Sequence, residues 1–146
     1  MDVRDIMSTD LVTVTRETSL QETVTRMLDD RVGSVVVVEG SQPVGIVTET
    51  DVLAVGTTYG RPFEEIPVTR AMSVNPVTVD PETSLEAAIE VLLDHGIKKL
   101  PIVDGDELVG IVTMTDFVYH QHDLATEAAR LERDRTGPLE DSDGPV

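Results

Sequence analysis

Gly110-Ile111-Val112-Thr113-Met114-Thr115-Asp116-Phe117-Val118 reads as a buried strand that ends at a threonine, with an aspartate three residues on as a helix begins. Glycine opens the run, a position where a partner or another backbone can come close. The stretch occurs earlier as Gly45-Ile46-Val47-Thr48-Glu49-Thr50-Asp51-Val52-Leu53, at an offset of 65 (110 against 45, 116 against 51). Working outward, residues 3–53 align on 68–118 without a gap. Met7-Ser8 falls on Met72-Ser73, Val12-Thr13-Val14 on Val77-Thr78-Val79, Glu17-Thr18-Ser19-Leu20 on Glu82-Thr83-Ser84-Leu85, and Gly40 on Gly105. Two copies of this length are a duplicated supersecondary unit, not a solenoid array.

Each copy reads as helical turn, strand, helix, strand, strand, helix. Ser19 and Ser84 are N-caps, followed at helical spacing by Leu20, Val24, Met27 and Leu28, and by Leu85, Ala88, Ile89, Leu92 and Leu93. Val35 to Val38 and Leu100 to Val103 are runs of buried-strand length. Residues 39–43 and 104–107 supply hairpin turns back to the glycine-led strands. Pro101 inside its run argues for an edge strand or a strand end. Residues 54–67 carry the first copy's last helix out and return to the second copy. A polar helix is expected from Asp116 to about Arg135, and an acidic, disordered tail from Gly137. The domains expected are 1–60, 61–122 and a tail of 123–146. About fifty residues so poor in aromatics form a marginal core alone. The expected fold is therefore an α/β sandwich in which the two repeats bury each other's apolar faces around a pseudo-two-fold axis.

Composition narrows the function. A chain of 146 residues is 40% hydrophobic but only 3% aromatic, so its core must be built from Val, Leu and Ile. It has no cysteine, which excludes disulfides, thiolate zinc sites and cysteine nucleophiles. Neither a secretory signal nor a membrane span is visible, and a cytoplasmic location is expected. With 28 acids against 11 bases the formal net charge is −17, which makes nucleic acid a poor partner. Such acid-rich, lysine-poor surfaces resemble those of salt-loving microbes, where salt screens the self-repulsion. The only lysines are Lys98 and Lys99, adjacent and set amid negative charge. No phosphate-cradling glycine loop, nucleophile elbow or hydroxyl–histidine constellation appears, so no catalytic residue is assigned. His120 and His122 stand two apart, a spacing that does not put both imidazoles on one helical face, and no metal site is assigned.

The repeated Thr-x-Thr-Asp has a purely structural reading. Threonine at an N-cap with an acid three residues on is a capping box, worth about 1 kcal/mol. Aspartate is shorter than the usual Glu or Gln and is expected to reach the cap poorly. An aspartate leaning outward could accept from a vicinal diol such as a ribose, while helix-start N–H groups and threonine hydroxyls suit a phosphate.

The doubled Gly-Ile-Val-Thr-x-Thr-Asp, with its Met-Ser and Pro-Val-Thr-Val openings (Leu11 in place of Pro in the first), resembles a tandem pair of CBS domains, a Bateman module, over residues 3–118. The resemblance implies a regulatory, non-enzymatic module with up to two clefts between β-α-β-β-α repeats. It would bind AMP, ADP or ATP, with S-adenosylmethionine or NAD as further possibilities, and no resident cofactor. Asp51 and Asp116 match the position that holds the ribose hydroxyls. Thr48, Thr50, Thr113 and Thr115 match the hydroxyls beside ribose and phosphate. Met7, Val12, Met72 and Val77 match positions lining the adenine pocket from the opposite repeat, and Ile111 completes the candidate set. Lys98 and Lys99 stand where relatives place phosphate-meeting basic residues, opposite neutral Gly33 and Ser34 in the first repeat. That asymmetry favours the cleft of Asp116. The resemblance also implies a homodimer, joined through the terminal helices and 54–67, that signals to an unknown regulated protein. The alternative is a constitutive dimerisation scaffold that binds nothing.

Overall fold

The structure, a computed structural model, describes residues 1–120. The expected helix to Arg135 and the acidic tail therefore lie outside the described residues beyond 120. Each repeat opens with a short 3-10 turn, at Val3–Asp5 and Val68–Arg70. The first continues through β1 (Thr13–Val14), α1 (Leu20–Asp30), β2 (Ser34–Glu39), β3 (Gln42–Thr48) and α2 (Glu49–Thr58). The second continues through β4 (Ser73–Val74), α3 (Leu85–His95), β5 (Lys99–Asp104) and β6 (Glu107–Thr113). A last helix, α4, starts at residue 114 and runs to 120, the limit of description. This is the expected order of elements.

Local sequence explains the boundaries. Ser19 Oγ accepts from the Glu22 N–H and Ser84 Oγ from the Ala87 N–H, both at 3.0 Å, so both helices begin where the serines cap them. At the other end α3 stops at Gly96 in the left-handed region, while α1 stops at Arg31 with φ 54°. Gly40 and Gly105 turn the two hairpins at φ 66° and 65°. In both hairpins β2–β3 and β5–β6 pair antiparallel with the same bulge, after Val37 and Ile102.

As expected, Pro101 sits in an edge strand, because β5 pairs with β6 alone in a two-stranded sheet. It lies inside β5, opposite Ile111 of β6, and Val79 bridges Ile102 in parallel on the far side. The absent N–H shows elsewhere. In the first repeat β1 forms a ladder with β2, whereas its second-repeat counterpart is reduced to that one bridge.

The two repeats exchange their openings. β4 pairs antiparallel with β3 (Ile46 with Ser73), so the second repeat's opening completes the first repeat's sheet in the order β1-β2-β3-β4. Reciprocally, Ser8 and Ile111 trade N–H donors to each other's carbonyls at 2.9 and 3.0 Å. The Val3 N–H donates to Thr83 O, and its counterpart Val68 N–H to Thr18 O, both at 2.9 Å. Consequently Ile66, Val68 and Ala71 are buried among Leu20, Val35, Val37 and Val47, while Val3 and Ile6 are buried among Leu92, Leu100, Ile102 and Val112. A fully buried Val, Leu or Ile among them contributes about 1.5–3 kcal/mol. Segment 54–67 is thus partly a core element, because Ile66 is buried and Phe63 packs on the first core.

The exchange accounts for the glycines that open the repeated stretch. A β-carbon on Gly45 would lie 2.6 Å from Met72 Sδ, and one on Gly110 would lie 2.5 Å from Met7 Sδ. The close approach expected of these glycines is made by the other repeat's methionine.

Candidate functional site

Both Thr-x-Thr-Asp turns form complete capping boxes. The Thr48 N–H donates to Asp51 Oδ2 at 2.8 Å, the Thr48 hydroxyl donates to the same oxygen at 3.0 Å, and the Asp51 N–H returns to Thr48 Oγ1 at 3.3 Å. At the second turn the Thr113 N–H donates to Asp116 Oδ2 at 2.8 Å and the Asp116 N–H to Thr113 Oγ1 at 3.2 Å. Aspartate does reach the cap, which corrects the expectation drawn from its length. In each case one carboxylate oxygen does the capping, and no donor among the described residues reaches Oδ1. In the first turn of α2 the Glu49 N–H donates to Gly33 O at 3.2 Å, whereas the Thr50 N–H finds no acceptor among the described residues.

Asp51 opens on a cleft of about 690 Å³, within the range of small-molecule sites. Thr48, Glu49 and Thr50 accompany it on one wall, together with Ile46. Ser73, Asn75, Pro76 and Val77 come from the second repeat's opening, and Ile97, Lys98, Lys99 and Pro101 from the approach to β5. The equivalent cleft at Asp116 is about 190 Å³, below that range. Thr113 and Ile111 flank Asp116 there, facing Asp10, Leu11 and Val12 from the first opening and Ser34 and Val36 from β2.

The exchange decides where the lysines go. Lys98 lines the cleft of Asp51, not that of Asp116, and Lys99 lines both. The grouping of both lysines with Asp116 is therefore corrected: across the interface, each Asp faces the β-strand start of the other repeat. The cleft of Asp51 balances Glu49 and Asp51 against two lysines, while the cleft of Asp116 sets Asp10 and Asp116 against Lys99 alone. Asn75 occupies in the larger cleft the place that Asp10 takes in the smaller.

Lys99 is half-buried at the wall between the clefts. A β-carbon on Gly33 would lie 2.9 Å from Glu49 Oε1 and 3.1 Å from Lys99 Nζ, so the carboxylate and the ammonium flank this glycine. Burial lowers the Lys99 pKa below its ordinary 10.5, partly offset by the Glu49 charge.

Among the sequence candidates, Val77, Thr48, Thr50, Asp51, Lys98 and Lys99 meet in the larger cleft, and Val12, Ile111, Thr113, Asp116 and Lys99 in the smaller. Met7 and Met72 line neither cleft, because their sulfurs are spent on Gly110 and Gly45. Thr115 is exposed outside the smaller cleft. Sequence reasoning missed Ile46, Asn75 and Pro101. The 65-residue offset applied to Ile111 points straight to Ile46; Asn75 and Pro101 needed the exchange.

The sequence profile of the CBS domain matches residues 3–56 and 64–123. The chain is 37% identical over 127 residues to CBS domain-containing protein YhcV of Bacillus subtilis, covering 87% of this chain and 89% of that protein. Among solved structures it is similar to AcuB of Vibrio cholerae, assigned to acetoin utilization, with a TM-score of 0.75, 28% identity, and coverage of 95% and 98% of the two chains. It is also similar to CBSX2, solved in complex with AMP, with a TM-score of 0.72, 27% identity, and coverage of 84% and 97%. With the duplicated unit, its exchanged openings and these matches together, the chain belongs to the CBS domain family as a tandem pair.

Proposed function

We propose that this chain is a non-catalytic regulatory module that binds one adenosine nucleotide in the cleft of Asp51 and signals occupancy to a partner protein. The observation that carries this reading is the meeting, in one cleft, of a carboxylate with a free oxygen and the chain's only two lysines. Asp51 Oδ1 accepts the ribose hydroxyls, and Lys98, Lys99 and the Thr50 N–H meet the phosphate. On a surface of net charge −17, a nucleotide anion needs such local positive charge. The AMP held by CBSX2 supports a ligand of this class. Occupancy shifts the population between arrangements of the two repeats, because the ligand binds one of them better. AMP, ADP and ATP are the first candidates, with S-adenosylmethionine and NAD behind them.

A homodimer belongs to the same reading. Leu28, Leu53, Leu93 and Val118 are 72%, 71%, 66% and 65% exposed, and they form two pairs at the repeat offset. α1, α2, α3 and α4 therefore present a pseudo-symmetric apolar face suited to a second copy. Among the described residues no helix is long and apolar enough to cross a membrane, and a cytoplasmic location completes the proposal.

One observation favours a ligand-free scaffold: both capping boxes are complete without a ligand. Thermal unfolding in molar KCl against AMP, ADP, ATP, NAD and S-adenosylmethionine separates the two readings. A ligand at 100 times its dissociation constant adds about 2.7 kcal/mol. A shift with one nucleotide supports the sensor; none with any, the fold being intact, selects the scaffold.

A further inference from the structure

The two clefts share one wall. Among the described residues, Gly33 and Lys99 line both of them and no other residue does. Gly33 does not stand in the left-handed region, so the backbone does not call for a glycine there. What the missing side chain leaves is room, and the Lys99 ammonium lies 3.1 Å from where a β-carbon would stand. The wall is therefore low beside the ammonium, and a group held on Lys99 from the Asp51 side can continue into the smaller cleft. Charge changes sign along that path. Lys98 lies on the Asp51 side alone, Lys99 stands at the wall, and Asp10 and Asp116 lie beyond it around a space of about 190 Å³. Asp116 is fixed there by its cap on Thr113, and Asp10 has no ion-pair partner among the described residues. The second repeat has neutral Asn75 at the place of Asp10, so this acid stands on the far side of the wall only.

We propose that the Asp51 cleft reads the length of the phosphate chain: it takes a nucleoside mono- or diphosphate, and Asp10, with Asp116 beside it, turns a triphosphate away. This rests on the nucleotide reading of the Asp51 cleft and narrows its ligand. With the ribose on Asp51, the first two phosphates meet Lys98, the Thr50 N–H and Lys99. A third passes Gly33 into a space that already holds two carboxylates. A like charge at about 4 Å weakens binding roughly fivefold even in water, and more where water is thinned. Selection of this kind works by repelling the wrong ligand while leaving contacts to the right one unchanged.

The test is calorimetric titration of AMP, ADP and ATP, with EDTA present and ionic strength fixed, into the whole chain, Asp10→Asn and Glu90→Gln. Asparagine at 10 reproduces the residue that the second repeat has at 75. Glu90 is exposed on α3 and lines neither cleft, so its variant removes the same charge from the chain without touching the path. The expected result on the natural chain is ATP binding about tenfold weaker than ADP. In Asp10→Asn the ATP affinity rises about fivefold, while AMP and ADP change by less than about twofold. Glu90→Gln should leave the ratio of ADP to ATP affinity where it was. ATP binding as tightly as ADP to the natural chain overturns the proposal. So does a ratio that Asp10→Asn leaves unchanged, or that Glu90→Gln moves as far. The comparison of nucleotides on the natural chain decides the matter even if a variant does not fold. Failure of all three to bind would instead remove the nucleotide reading, and this inference with it.

Discussion

Gly45→Ala probes the exchange of openings most sharply. The new methyl would sit 2.6 Å from Met72 Sδ and 3.1 Å from the Ser73 carbonyl oxygen. The sulfur belongs to a flexible side chain and can yield, but Ser73 is fixed by its ladder with Ile46. A cost of about 1–3 kcal/mol follows for overpacking. In a chain of this size that lowers the melting temperature by roughly 3–10 °C. Because the clash is with a methionine 27 positions along the chain rather than with Met7 of the same repeat, a double-mutant cycle discriminates between them. Gly45→Ala with Met72→Ala should recover about 1 kcal/mol relative to additivity, while Gly45→Ala with Met7→Ala should add within about 0.5 kcal/mol. Gly110→Ala should show the mirror pattern, coupled to Met7 and not to Met72. Urea unfolding of the single and double variants measures each term. Coupling of Gly45 to Met7, or its absence with Met72, would refute the exchanged arrangement.

Three further outcomes are expected. Arg31 holds the left-handed conformation that Gly96 supplies in the second repeat, so Arg31→Gly should raise stability by about 0.5–1 kcal/mol in urea unfolding; a loss would contradict this. The lowered pKa of Lys99 means that the unfolded chain holds this proton to higher pH than the folded chain does. Lys99 therefore penalises folding at neutral pH, and the penalty fades as pH rises through the lowered value toward 10.5. A nearby phosphate favours the charged amine, so AMP affinity should fall over that alkaline window, with proton uptake on binding in calorimetry; Lys99→Met should abolish the dependence. Finally, a net charge of −17 predicts a melting temperature that climbs with KCl from 0.1 M upward, roughly as the screening length shrinks from ~10 to ~3 Å; a flat response would sink that reading.

How much of this was legible in the sequence depended on whether the information was local. The duplication, the serine caps, the hairpin glycines and the strand-turn-helix unit were readable because each is written in a few consecutive residues. The glycines at 45 and 110 even announced a close approach. Periodicity carries no record of which copy a segment joins, since Met7 and Met72 are chemically identical, and only the family resemblance set them against the opposite repeat. The same ambiguity grouped both lysines with Asp116, their neighbour in the repeat, when the exchange carries Lys98 to Asp51. Aspartate length misled for a different reason: the backbone at Thr48 and Thr113 approaches closely enough for the short carboxylate to close the cap at 2.8 Å. Pro101 was legible as an edge-strand residue because proline cannot donate, and only an isolated bridge, Val79 with Ile102, lies on the far side of β5.

The most direct measurement is calorimetric titration of AMP into the natural chain, Asp51→Ala and Asp116→Ala under identical salt. Binding at one site per chain, lost in Asp51→Ala and kept in Asp116→Ala, is the expected result. Binding that survives Asp51→Ala and disappears in Asp116→Ala would contradict the assignment of the nucleotide to the cleft that gathers both lysines.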